Sequence, residues 1–137
     1  MRAVLDTCIL KLATFDNENN ASALIFQLAR ANLMETWASP AVLDEYADVL
    51  VNHPEFIAEI TEVCRICYPL TELRVIKHEP DNRFLECALV AAADFIITVN
   101  TARGHFDKPE YESVRVLTPG QFLNERAVAA LVKKLTS

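Results

Sequence analysis

Short apolar runs alternate with stretches of helical periodicity along most of the chain, a pattern that predicts alternating strands and helices. Ala3-Val4-Leu5 reads as a short buried strand that ends at Asp6. Ala21, Leu24, Ile25 and Leu28 fall at helical spacing within residues 21–33, and residues 35–38 suit a short strand. Ser39-Pro40 supplies an N-cap with proline at the first helical position, and Val42, Leu43, Tyr46 and Leu50 carry that helix onward. Pro54 interrupts it, and residues 55–67 read as another helix. Residues 73–77 (LRVIK) read as a strand. Pro80-Asp81 opens the clearest helix, with Phe84, Leu85, Ala88, Leu89 and Ala92 on one stripe. Phe95-Ile96-Ile97-Thr98-Val99 is a continuous apolar run suited to a strand buried on both faces. Residues 114–117 read as a strand and residues 119–135 as a closing helix.

Strands alternating with helices imply an α/β fold in three layers, with a mostly parallel central sheet flanked by helices and right-handed crossovers. No repeat, low-complexity tract or linker interrupts the chain, so residues 1–137 are expected to form one domain. Ligands of such sheets bind at the carboxyl ends of the strands, and Asp6 and Asn100 each follow a strand there.

Composition narrows the function. The chain has two glycines, Gly104 and Gly120, too far apart for a phosphate-binding loop or a dinucleotide fingerprint. No apolar run reaches the ~18 residues of a membrane span. The opening MRAVLDTCIL is too short, and broken too early by Asp6, for an export signal, so Cys8, Cys64, Cys67 and Cys87 are expected to be reduced thiols in a cytoplasm. A net charge of −6 argues against coating nucleic acid by bulk basic charge. It does not argue against an enzyme that meets nucleic acid through bound metal ions.

Asp6, Glu45, Asp81 and Asn100 stand where a parallel sheet can bring them to one end. Converging carboxylates repel, and protonation or a bound cation relieves them. Hard oxygen ligands suit Mg²⁺ or Mn²⁺. The alternatives are plain: Asp6 closing a turn, Asp81 capping a helix, Glu45 solvated like Asp44 and Asp48.

The segments VLDTCIL (4–10), SPAVLDEYADVL (39–50), DNRFLECALVAAADFIITVN (81–100) and VRVLTPGQFL (114–123) resemble the PIN-domain family. They are most similar to its bacterial, VapC-like branch of toxin components of toxin–antitoxin systems. The resemblance implies a metal-dependent endoribonuclease that uses Mg²⁺ or Mn²⁺ on an RNA substrate, with an antitoxin protein and a second copy of the chain as partners. The family's acids fall on Asp6, Glu45 and Asp81, which would hold the metal, and Thr7 matches the small hydroxyl residue that follows the first acid. The fourth acidic position falls on Asn100, an amide. His105 and Asp107 flank Phe106 in a loop two residues longer than a common family variant, and either is a candidate replacement. Asn100 favours the alternative of a PIN-like RNA- or protein-binding module with weak or lost catalysis. An aspartyl phosphotransferase ranks below both, because Cys8 stands where that class has a second Asp.

Other residues read more plainly. Cys64-x-x-Cys67 lies on the expected 55–67 helix without a second pair, so it reads as core packing, as do Cys8 and Cys87. His53 is expected to meet the last carbonyls of a helix, and His78 to lie on the surface. Glu86 reads as support for the site or as solvated, and Asp94 as structural at the opposite end of the sheet. Lys11, Arg83, Arg103 and Lys108 are candidate phosphate contacts.

Overall fold

The computed structural model describes residues 1–15 and 20–137. Its elements are β1 (Arg2–Leu5), α1 (Thr7–Ala13), α2 (Ala21–Arg30), β2 (Glu35–Ala38), α3 (Pro40–Val49), α4 (Pro54–Val63), β3 (Arg65–Ile66), α5 (Glu79–Val90), β4 (Phe95–Ile97), β5 (Glu110–Tyr111), β6 (Val114–Leu117), α6 (Pro119–Asn124) and α7 (Arg126–Thr136). The strands form one sheet in the order β3-β2-β1-β4-β6-β5, parallel except for the edge pair β5–β6. This is the expected three-layer α/β fold. One group of helices joins α2 to α1, α6 and α7, and the other joins α3 to α4 and α5, with α1 also touching α3 and α5 lying on β1, β2 and β4.

Strand β1 sits in the middle because it is apolar on both faces: Ala3, Val4 and Leu5 are all buried. Opposite it, Phe95, Ile96 and Ile97 of β4 are equally buried, in the register Ala3↔Phe95 to Leu5↔Ile97. The ladder runs one step further, with Asp6 N–H donating to the Ile97 carbonyl at 3.0 Å. Asp6 then turns from strand to helix. Its carboxylate caps α1 by accepting from Thr7 N–H at 2.8 Å, a preferred use of Asp at a helix start. Fully buried Tyr46 of α3 donates its hydroxyl to the Leu5 carbonyl at 2.5 Å, tying the helix that carries Glu45 to the end of β1.

Five expectations need correction. Residues 73–77 form no strand. Their backbone groups are taken by side chains of α5 instead: Asn82 Oδ1 accepts from Val75 and Ile76 N–H, Asn82 Nδ2 donates to the Ile76 carbonyl, and Glu86 accepts from Leu73 N–H. The helix expected over 55–67 stops at Val63, and Arg65–Ile66 leaves it to pair with β2 at the sheet edge. The α5 helix ends at Val90, with Ala92 beyond it at φ 52, off the expected stripe. Strand β4 ends at Ile97, so Thr98 and Val99 stand between it and Asn100. The closing helix is two helices, broken at an extended Glu125 whose carboxylate pairs with Arg115 of β6 at 2.6 Å. Helix α1 and the edge strand β5 were not foreseen.

Asn82 is fully buried and serves three backbone groups of the 73–76 segment. An unsatisfied buried backbone group costs about 1–3 kcal/mol, so Asn82→Ala is expected to lower stability by at least about 2 kcal/mol. Urea denaturation measures the loss, and hydrogen exchange should speed up at Val75 and Ile76.

Candidate metal centre

The four residues singled out in the sequence converge. Asp6, Glu45, Asp81 and Asn100 line one pocket of about 250 Å³, together with Thr7, Cys8, Lys11 and His78. Three local devices place the acids. The end of β1 presents Asp6, α3 presents Glu45 beside the anchored Tyr46, and the first turn of α5 presents Asp81.

Asp6 is nearly buried and heavily bonded. Its Oδ1 accepts from Thr7 N–H, while its Oδ2 accepts from the Thr98 hydroxyl at 2.6 Å and lies 3.5 Å from the Asn100 amide nitrogen. The Cys8 thiol also donates to Oδ2, at 3.6 Å. The Thr98 hydroxyl accepts from Asn100 N–H at 2.9 Å, so one residue orients both the acid and the amide. Glu45 is half-buried and makes no side-chain hydrogen bond or ion pair among the described residues.

Asp81 is buried, and its Oδ2 lies 3.1 Å from His105 Nδ1. Burial and the nearby Asp6 charge push its carboxyl above the ordinary aspartate value, although His105 pulls the other way. The site thus meets a divalent cation on two counts. Its donors are hard oxygens, and two of its carboxylates repel at close quarters, a strain that positive charge removes. The buried Thr7 hydroxyl oxygen has no partner among the described residues, leaving one further oxygen donor at the pocket.

The remaining candidates sort out by contact. His105 faces Asp81, whereas Asp107 turns away: its carboxylate accepts from Gly104 N–H at 3.3 Å and from the Tyr111 hydroxyl at 3.5 Å. Of the four basic residues only Lys11 lines the pocket. Arg83 is held by Glu72, Glu79 and Glu86, and Lys108 lies over the Tyr111 ring. Glu86, bonded to Arg83 and Leu73 N–H, belongs to that network and is neither support for the site nor solvated. Asp94 clamps the other end of the sheet by accepting from Arg2 N–H at 2.8 Å. His53 precedes α4 with no side-chain cap bond. His78, expected on the surface, is exposed, yet it lines the pocket. The spacing His78-x-x-Asp81 across a helix start was the available signal, since residues three apart there share a face.

Residues 2–102 match the family model described as PIN domain. The chain therefore belongs to the PIN-domain family, a nuclease-type fold whose members are generally metal-dependent nucleases acting on nucleic acid. Neither a curated protein nor a solved structure gives a significant match to the chain. No helix among the described residues is long and apolar enough to cross a membrane.

The Cys64-x-x-Cys67 pair is not a unit, and neither residue lies within a helix. Cys64 Sγ lies 3.7 Å from the Thr36 hydroxyl, whereas Cys67 Sγ lies 3.3 Å from Cys87 Sγ in the core. Burial pushes the Cys64 thiol up to about 11, so it stays protonated at neutral pH. At about pH 7.5 its alkylation by iodoacetamide is expected to be about three hundredfold slower than that of an unperturbed thiol of pKa near 8.5. The rate, read by peptide mass spectrometry, should keep rising to about pH 10; a plateau near neutrality is the contrary result.

Proposed function

We propose that this chain is a metal-dependent endoribonuclease, the toxin of a toxin–antitoxin pair, folded as one PIN domain over residues 1–137. The observation that supports it best is the pocket in which Asp6, Glu45, Asp81 and Asn100 meet in a chain of a nuclease-type family. In this reading Asp6, Glu45 and Asp81 hold Mg²⁺ or Mn²⁺. A divalent cation bound there supplies positive charge to the phosphodiester and makes water a better nucleophile.

The chain's own groups do the rest. Thr7 N–H and the Thr98 hydroxyl fix the Asp6 carboxylate, so its free lone pairs point in set directions. The Asn100 amide adds a dipole beside Asp6 in place of a fourth negative charge. Lys11, the one lysine or arginine among the described residues lining the pocket, meets a phosphate entering it. Glu45, unpartnered among the described residues, takes the proton of the attacking water as the water oxygen adds to phosphorus and the P–O bond breaks, its electron pair passing to the leaving oxygen, which takes a proton from solvent.

The same reading includes a homodimer, an antitoxin partner and a cytoplasmic location. Helix α7 buries only Val128 completely, and its Ala127 and Ala130 stay exposed, which suits a partner surface. Light scattering at tens of micromolar should then give twice the mass of one chain.

Cleavage of a mixed RNA by purified protein is expected to stop with EDTA and return with Mn²⁺. Asp6→Asn and Asp81→Asn should reduce it to background, and Glu45→Gln should slow it by about 10²–10⁴-fold. Asn100→Asp should raise the rate in Mg²⁺, because a fourth carboxylate strengthens oxygen coordination of a hard ion. Asn100 also favours a second reading, a PIN-like RNA- or protein-binding module with weak or lost catalysis. If wild-type protein cuts no RNA with any divalent ion yet retains RNA in a filter assay, that reading replaces the first.

A further inference from the structure

Three side chains beside the carboxylates form a set of their own. His78, Asp81 and His105 each offer one ligand atom, and these atoms all lie within 4.8 Å of one another. Asp81 Oδ2 and His105 Nδ1 are 3.1 Å apart, close to the ~3.3 Å between two donors on one tetrahedral ion with bonds of about 2.0–2.1 Å. The His78 and His105 rings are in contact, with centroids 4.5 Å apart. The His78 ring makes no hydrogen bond among the described residues, so its nitrogens remain open to a ligand.

The backbone holds this trio in place. His78 immediately precedes α5 without capping it through its side chain, and Asp81 lies in the first turn. His78 N–H donates to the Gly104 carbonyl at 2.8 Å, which staples the start of α5 to the loop that carries His105. That loop passes through Gly104 at φ 90, a conformation that favours glycine, and Gly104 N–H donates to the Asp107 carboxylate. Phe106, buried to 1% exposure, plugs the loop into the core, and its N–H donates to the Asn100 carbonyl at 3.1 Å. The loop residues 103–107 lie beyond the segment that matches the family model.

We propose that His78, His105 and Asp81 form a binding site for a first-row transition dication such as Zn²⁺, Co²⁺ or Mn²⁺, adjoining the Asp6–Glu45 carboxylates and sharing Asp81 with them. Two imidazole nitrogens and one carboxylate oxygen make a borderline donor set. Such a set favours these ions over Mg²⁺, which prefers oxygen and keeps its waters. Asp81 has two oxygens, so it can serve the histidines and the carboxylate pocket together. The inference rests on the reading of that pocket as a metal centre, and it replaces the choice between Mg²⁺ and Mn²⁺ with a nitrogen-ligated position selective for the later ions.

The test is binding, read without any cleavage assay. Full-length protein stripped with chelator is titrated with Zn²⁺ against a chromophoric chelator, and separately with Co²⁺ by visible absorption. Wild type should take up a Zn²⁺ ion that a large excess of Mg²⁺ fails to displace. His78→Ala and His105→Ala should each weaken it by at least about tenfold, and the Co²⁺ spectrum should lack the intense sulfur charge-transfer band that cysteine ligation brings. Asp6→Asn should weaken Zn²⁺ less than either histidine change. Near-UV circular dichroism shows that each variant keeps its tertiary packing, and His78→Asn and His105→Asn repeat the test if an alanine variant does not. Zn²⁺ affinity unchanged in both histidine variants, or easy displacement by Mg²⁺, overturns the proposal. The two readings fail separately. Zn²⁺ binding that follows the histidines without RNA cleavage removes the nuclease and keeps the site; cleavage that depends on Asp6, with Zn²⁺ binding indifferent to the histidines, does the reverse.

Discussion

Asp6 is where the demands of the fold and those of the site meet. Its N–H extends the central ladder to Ile97, its Oδ1 caps α1, and its Oδ2 collects the Thr98 hydroxyl, the Asn100 amide and the Cys8 thiol. A carboxylate so nearly buried is costly unless hydrogen-bonded, and these donors supply the compensation. The same bonds hold it close enough to Asp81 for the two charges to oppose each other. His105 offsets that opposition only in part, so the pocket still favours positive charge. The Tyr46 bond to Leu5 and the Asn82 bonds to the 75–76 segment serve the same end: they keep α3 and α5, and hence Glu45 and Asp81, from relaxing apart.

Most of this was legible in the sequence where local chemistry and burial agree. The apolar run at 95–99, of which 95–97 forms β4, the Ser39-Pro40 helix start and the acids after β1 and at the start of α5 all announced themselves. What misled was periodicity without a partner. LRVIK has strand composition, yet Asn82 and Glu86 satisfy its backbone, and no rule of spacing shows which side chains will compete with a neighbouring strand. The helical pattern over 55–67 overran for the converse reason, because the sheet edge captured Arg65–Ile66. Helix α1 leaves little trace in the sequence: Asp6-Thr7 is a fair capping signal, but its seven residues are too few to show a period. The place of His78 in the pocket is not legible from the sequence, because its ring neighbour, His105, is distant in the chain and arrives on an irregular loop.

The pocket is asymmetric in its chemistry. On the Asp6 side the groups facing the pocket are carboxylate oxygens held by hydroxyl, amide and backbone N–H donors. Toward the 100–107 loop Asp81 meets the imidazole of His105, borne on a turn that passes through Gly104 and is anchored by Phe106. With an overall charge of −6 the chain offers a polyanion little attraction in bulk, and among the described residues lining the pocket Lys11 is the one lysine or arginine.

The order of the strands has a consequence for when such a centre can exist. Leu5 lies opposite Ile97, so β1 finds this partner only after nearly a hundred residues have been added to the chain. Pairings of this length form late, because the entropy of closing the loop must be met before any contact rewards it. While the polypeptide is still being made, Asp6 is present but Thr98, Asn100 and His105 are not, and Asp81 has no scaffold to hold it. A pocket assembled across these separations stays incomplete until the residues near Asn100 have been made and have folded back onto β1.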